Sequence, residues 1–364
     1  MNDIASYLFY IGVFAGAALL LRAGYRYKSM VLKIIAAIIP MIVAALRDNV
    51  GTDYATYVKV FEDFRMLSIS DFFSNRSNGT EVGFYLINKL SQWLTDGPGF
   101  MFAIMSIICI VFFFCAMRRW HVRYPALVYF LYLMLVFPNS LNIVRQSAAA
   151  MIALYAFSFI LEKKPAKYAF AILCASSLHT SALFLLPLYF VRFLVQAKQS
   201  THIRFVVKTA VIALIVGGVL PLLIAQFSSQ SIFSRYSIYD NIIGSGINLQ
   251  LYVHICFVVI FTMILRYRYD DIHYRFFYLL EVLNVILLVN LDPSQIIKRL
   301  AVYFSIAPVM LLGKLPSLPQ SPSGRRAMMV GVACYGLVIF YISYVVLMQA
   351  DIIPYKSMLF GGSS

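Results

Sequence analysis

Apolar runs long enough to cross a bilayer recur along most of this chain, and that recurrence limits the fold more than any other feature. A helix rises about 1.5 Å per residue, so roughly 20 apolar residues span the hydrocarbon core. Such runs fall at about 4–21, 30–46, 99–117, 125–138, 140–161, 209–226, 249–265, 274–291, 299–313 and 327–349. The 364 residues are 62% hydrophobic and 12% charged, against roughly 25% charged in a soluble domain. The expected fold is therefore an all-α polytopic membrane protein, a single membrane domain over 1–364 with about 10 transmembrane helices. The first run has no basic lead and no small-residue cleavage site, so it is expected to stay as a span.

Residues 168–196 are long for one span and short for two. "SSLHTS" in their middle is polar, and Pro187 follows. A re-entrant helical hairpin with His179 near its tip is expected, with 12 short spans in all as the other arrangement. Broken backbone at membrane depth is tolerated where it lines a cavity.

The net charge of +15 has a topological explanation. With both termini outside, the inside loops collect 20 of the 30 basic residues and only three acids. This is the positive-inside pattern, so no nucleic-acid partner is expected. The five cysteines lie in apolar runs without metal spacing, and no metal or cofactor is expected. Two outside segments are long, 47–98 and 227–248. In the first, Phe84, Ile87 and Leu90 recur at helical spacing before Trp93, which points to an amphipathic helix on the outer interface. The tail after Ala350 reads as outside and loose.

Against that topology, several polar and basic residues gather on the outer side. "LRDNVGTDYATY" carries Arg47 and Asp53, with Gly51 for a tight turn and Thr52 or Asp53 to cap the next helix. "NSLNIVRQSAAAM" places Arg145 and Gln146 about one turn inside a span, beside small residues that admit a close neighbour. Arg binds phosphate bidentately, which suits a diphosphate lipid, whereas the bland reading is a snorkelling side chain. His179, at a helix break, can act as base or hydrogen-bond donor. Lys298 and Arg299 stand at an outer mouth with Tyr303 a turn deeper. They read either as a second phosphate contact or as interfacial anchors. Arg235, Tyr236 and Tyr239 could stack on sugars or form an aromatic belt. Glu81 opens the amphipathic helix, where a carboxylate is favoured. Glu281 and His254 lie mid-span, paired either with each other or with hydroxyls, and read as structural.

Five stretches occur in order: "RDNVGTDYATYVKVF", "EVGFYLINKL", "NIVRQSAAAMIALYAF", "SSLHTSALFLLPLYF" and "KRLAVYF". On them the chain resembles the EpsG-like group of Wzy-type polysaccharide polymerases over about residues 40–305. The resemblance implies a GT-C-like glycosyltransferase of the bacterial inner membrane, working on the periplasmic face with both termini periplasmic. It would join undecaprenyl-pyrophosphate-linked repeat units, moving the growing chain from its lipid diphosphate to a hydroxyl of the incoming unit. The family's arginine motifs fall on Arg47 and Arg145, its histidine motif on His179 and its late Arg–Tyr motif on Arg299 and Tyr303. With the residues read above, the expected site has Arg145, His179, Arg299 and Asp53 as catalytic residues, and Arg47, Gln146, Tyr303, Arg235, Tyr236, Tyr239, Lys298 and Glu81 as substrate-binding residues. The partners implied are lipid-linked glycans and the bilayer, with a chain-length regulator and a flippase as candidates. The competing functions are a flippase or exporter of the same lipids, and another outer-face transferase such as a ligase.

Overall fold

The computed structural model describes residues 2–74, 80–197, 201–227, 249–289 and 295–357. Among them the chain is helical, with only an isolated antiparallel bridge between Arg47 and Ser357. In chain order the helices are α1 (Asp3–Arg26), α2 (Met30–Leu46), α3 (Tyr54–Met66), α4 (Ile69–Ser74), α5 (Val82–Leu94) and α6 (Gly99–Arg119). Then follow α7 (Pro125–Leu135), α8 (Phe137–Ser140), α9 (Val144–Leu161), α10 (Pro165–Ser176), a 3-10 helix (Thr180–Val191) and α11 (Arg192–Val195). The last are α12 (His202–Phe227), α13 (Leu249–Arg268), α14 (Ile272–Val289), α15 (Gln295–Phe304), α16 (Ala307–Leu312) and α17 (Pro322–Tyr341). Among the described residues seven segments are long and apolar enough to cross a membrane. Met30–Leu46, Pro125–Leu135 and Thr180–Val195 are shorter apolar helices. The protein is an all-α polytopic membrane protein, as its hydropathy predicts.

In four of the apolar runs a helix ends or breaks, each time for a local reason. The runs at 125–138 and 140–161 are interrupted around Pro138, Asn139 and Asn142, so α9 starts at Val144. Proline removes a backbone donor, and Asn competes for backbone hydrogen bonds. The run at 299–313 divides into α15 and α16, because Pro308 fits the first turn of a new helix and not the interior of a continuing one. Residues 168–196 break at 177–179, which sets His179 in the turn. Across that break the Tyr168 hydroxyl donates to the Leu185 carbonyl at 2.5 Å.

The chain divides into two compact units. The first takes Met1–Tyr155, Cys174–Thr180 and Leu312–Ser364. In it α1 packs on α2 and α7, α2 on α6, and α7 on α17. The helices α3 to α5 enclose an aromatic cluster in which Phe72 stacks on Tyr85 at 3.9 Å between centroids. That cluster sets the register of α5. Phe84, Tyr85, Asn88 and Ser91 are buried, and Val82, Leu86, Leu90 and Trp93 are exposed. The helix therefore forms as expected, but Phe84 and Leu90 lie on opposite faces, and the exposed apolar stripe is the one four residues apart.

The second unit takes Ala156–Leu173 and Ser181–Leu311. Its α14 packs against α12, α13 and α15. Glu281 of α14 is fully buried, and His254 Nδ1 of α13 lies 2.6 Å from its Oε1. The Asn284 amide donates to its Oε2 at 3.4 Å. A buried charge that loses its partner is costly, while an apolar replacement of the whole pair is tolerated. His254→Leu is therefore expected to destabilise the protein by about 3 kcal/mol, and His254→Leu with Glu281→Leu by clearly less. Unfolding of the purified protein in detergent measures both.

Candidate active site

Glu81 is the residue at which Arg145 and His179, two of the expected site residues, meet. It occupies the N-cap of α5 without capping it through its side chain. The carboxylate turns to other segments instead. Arg145 Nη1 donates to Oε2 at 2.7 Å. The Thr180 backbone N–H donates to Oε1 at 3.1 Å, and the Thr180 hydroxyl does so at 3.4 Å. His179 Nδ1 lies 3.3 Å from the same oxygen. All four residues belong to the first unit.

Local chemistry brings each segment there. The Gly83 N–H donates to the Ser177 carbonyl at 2.8 Å. A Cβ on Gly83 would stand 2.7 Å from that carbonyl oxygen, so a larger residue would push the start of α5 off the His179 turn. Arg145 lies in the first turn of α9, not a full turn inside as the hydropathy implied. A cation at that end opposes the helix dipole, and Glu81 offsets it. The guanidinium also lies 5.2 Å from the Phe84 ring centroid and 5.9 Å from that of Tyr57.

Burial alone would raise the Glu81 carboxyl, but His179, Arg145 and the Thr180 N–H outweigh it and hold it at about 2. Glu81 is thus an ionised anchor at physiological pH and a poor base. Its side chain is 5% exposed and that of His179 6%, whereas 31% of Arg145 remains accessible. The arginine is the outward member of the cluster. Gln146, beside it, is buried.

Arg47, expected to bind substrate, is buried against other side chains. It is 1% exposed, with Nη1 donating to the Ala44 carbonyl at 2.9 Å and its guanidinium 3.8 Å from the Phe102 centroid. A desolvated cation on an aromatic face is worth about 2 kcal/mol, so Arg47 holds the end of α2 rather than presenting charge. Burial lowers it to about 10, which leaves it charged. Asp53 stands at the N-cap of α3, also without a side-chain cap bond. Its backbone N–H donates to Asn142 Oδ1 at 2.9 Å, and the Thr52 hydroxyl donates to the same oxygen at 2.8 Å. Asn142 was not among the residues singled out by sequence. Its signal was the "NSLN" interruption before Arg145, since Asn marks chain turns.

Arg299 and Tyr303 belong to the second unit. Tyr303 is fully buried, with its hydroxyl 2.9 Å from that of Ser181, so it fastens α15 to the 3-10 helix. Arg235, Tyr236, Tyr239 and the side chain of Lys298 lie outside the described residues. Among the described residues no group of three His, Cys, Asp or Glu could hold a metal ion.

Fold and cluster define a multi-pass membrane protein with a buried acid, a histidine and a half-exposed arginine meeting beside helix ends. The model of the EpsG family matches residues 30–357. The chain belongs to the EpsG family, a Wzy-like polymerase family, and this supports a polysaccharide polymerase or glycosyltransferase-like role in a membrane. No curated protein and no solved structure matches it.

Glu81→Gln removes the anchor's charge and is expected to cost about 3 kcal/mol at pH 7. A depressed carboxyl contributes stability above its unfolded value, roughly 4.3. That contribution is lost as pH falls through about 2. Melting curves of the native protein and the variant should be separated at pH 7 and converge near pH 2–3.

Proposed function

We propose that this protein polymerises lipid-linked oligosaccharide repeat units on the periplasmic face of the bacterial inner membrane. The observation that carries the reading is the Arg145–Glu81–His179 cluster in a chain of a Wzy-like polymerase family. The growing glycan is bound to undecaprenyl diphosphate. A hydroxyl of the incoming unit attacks its anomeric carbon, and a new C–O bond forms as the bond to the diphosphate oxygen breaks. The hydroxyl proton passes to the His179 imidazole. The lipid diphosphate leaves with the bonding electron pair.

Each residue has a role that follows from its surroundings. Arg145 is accessible and cationic, and it meets the diphosphate charge that grows in the transition state. Glu81 holds both Arg145 and His179, and its fixed negative charge favours the imidazolium that forms when His179 takes the proton. Asp53 and Arg47 shape the loop behind Arg145. Arg299 is assigned to lipid binding in the second unit. There α12, α14, α15 and the 3-10 helix line an apolar cavity of about 490 Å³, among them Phe184, Leu188, Leu287, Leu300 and Phe304. Its apolar lining suits a segment of an isoprenoid tail, whose remainder would lie in the bilayer. The periplasmic assignment rests on the basic excess of the inside loops. A chain-length regulator and a flippase are the partners this function calls for.

The test is a gel of surface polysaccharide from a strain lacking the protein, complemented with native, Arg145→Ala or Arg145→Lys copies. The expected result is a ladder with the native copy and a single repeat unit on its acceptor without it. Arg145→Ala should lose at least about 100-fold of polymer at equal membrane abundance, in the range of losing a transition-state charge contact. Arg145→Lys should recover only part, because a point charge lacks the bidentate fork. Absence of all repeat units would indicate a flippase. Long polymer retained on its lipid would indicate a ligase. An unchanged ladder would overturn the reading.

A further inference from the structure

The segment after Ala350, expected to be loose, is docked up to Ser357. Ile352, Ile353 and Tyr355 are buried. The segment takes up the backbone donors of the loop that follows α2. The Asp48 N–H donates to the Lys356 carbonyl at 3.0 Å, that of Gly51 to Asp351 at 2.9 Å, and that of Thr52 to Ala350 at 3.2 Å. Its side chains and backbone also reach α1 and α2. The Tyr355 hydroxyl donates to the Val43 carbonyl at 3.0 Å, in the last turn of α2, where carbonyls lack helical partners. The Tyr355 N–H donates to the Ser6 hydroxyl at 2.9 Å, and the Tyr10 hydroxyl donates to the Ile352 carbonyl at 3.1 Å. The Tyr355 ring stacks on Phe9 at 4.8 Å.

The loop held in this way is itself pressed against the entry to α9. Gly51 has φ +99°, and a Cβ there would stand 2.6 Å from the Leu141 carbonyl oxygen. The next two residues give their donors to Asn142. Arg145 follows three positions later, in the first turn of α9. The same loop ends at Asp53, the N-cap of α3, and α3 carries Tyr57 beside the Arg145 guanidinium. Both supports of Arg145 therefore start from a loop whose free backbone groups are occupied by the C-terminal segment.

We infer that residues 350–357 form a strap that positions Arg145, acting through the 47–53 loop and Asn142. The inference rests on the proposed function only for the consequence to polymer synthesis. The strap's mechanical role stands on the contacts alone. Asn142 and Tyr355 are positioning residues, since neither lies on Glu81 or His179.

Amide hydrogen exchange of the full-length protein in detergent tests the mechanical link, using native protein, Tyr355→Ala, Asn142→Leu and Asn142→Asp. Tyr355→Ala and Asn142→Leu are expected to speed exchange at the 47–53 loop and, further away, at the Thr180 amide that Glu81 holds, by about tenfold. Amides of α14, which packs against α12, α13 and α15, should be unchanged. Asn142→Asp keeps the acceptor oxygen and should stay within about twofold of native. Faster exchange confined to the 47–53 loop, with Thr180 protection intact, would overturn the strap. So would an Asn142→Asp variant as perturbed as Asn142→Leu. The polysaccharide gel on the same variants then reads the consequence. Polymer loss in Tyr355→Ala and Asn142→Leu, with recovery in Asn142→Asp, is expected. If Arg145→Ala itself leaves the ladder unchanged, the proposed function fails while the exchange result still decides the strap.

Discussion

A carboxylate that is almost wholly removed from water must be compensated, and the compensation of Glu81 organises the first unit. Taking such a group out of water costs several kcal/mol unless donors replace the lost solvent. Glu81 receives a guanidinium, a backbone N–H and a hydroxyl, and it faces an imidazole. These donors come from two segments, the first turn of α9 and the 177–180 turn, and Glu81 itself precedes α5. Three chain segments that each end or begin a helix are thus tied by one ion. A shift of any one of the three would cost the buried carboxylate at least one of these partners.

Two glycines permit the close approach that this tie requires. Gly83 presses the start of α5 against Ser177, and Gly51 presses the 47–53 loop against Leu141. Both contacts are backbone to backbone, closer than any side chain would admit. Arg47 and the C-terminal segment close the far side of the same loop. The result is a layered support, from the docked segment to the loop, to Asn142 and to Arg145, with the accessible cation at its end. Chemistry that neutralises a leaving diphosphate benefits from such rigidity, because donors already in place need no reorganisation as charge develops.

Hydropathy alone made the membrane class, the helical content and most helix positions legible. The break at "SSLHTS" was also legible, since polar residues and Pro187 interrupt an apolar run. The start of α9 was placed about four residues too early, and the break before Ala307 was missed, because short interruptions in apolar sequence barely alter a window of about 20 residues. The outward stripe of α5 was read as Phe84, Ile87 and Leu90, whereas Phe84 is buried, because apolar residues lie on both sides of the helix. Which side is buried depends on the aromatic rings of α3 and α4. Tyr303 and Arg47 carried a binding-site signature in sequence, yet their side chains are spent on holding helices together.

By itself the sequence determined what is local or cumulative: a polytopic helical chain, its charge asymmetry, and five ordered motifs containing Glu81, Arg145 and His179. Helical hydropathy and loop charge need no knowledge of distant partners. Only the tertiary structure decided which motifs meet. Glu81 and Arg145 are 64 positions apart, and Glu81 and Thr180 are 99. Tyr10 and Ile352 are 342 apart. Such pairings carry no periodicity that a sequence can display, because they arise when buried polar groups find the donors and acceptors that packing delivers.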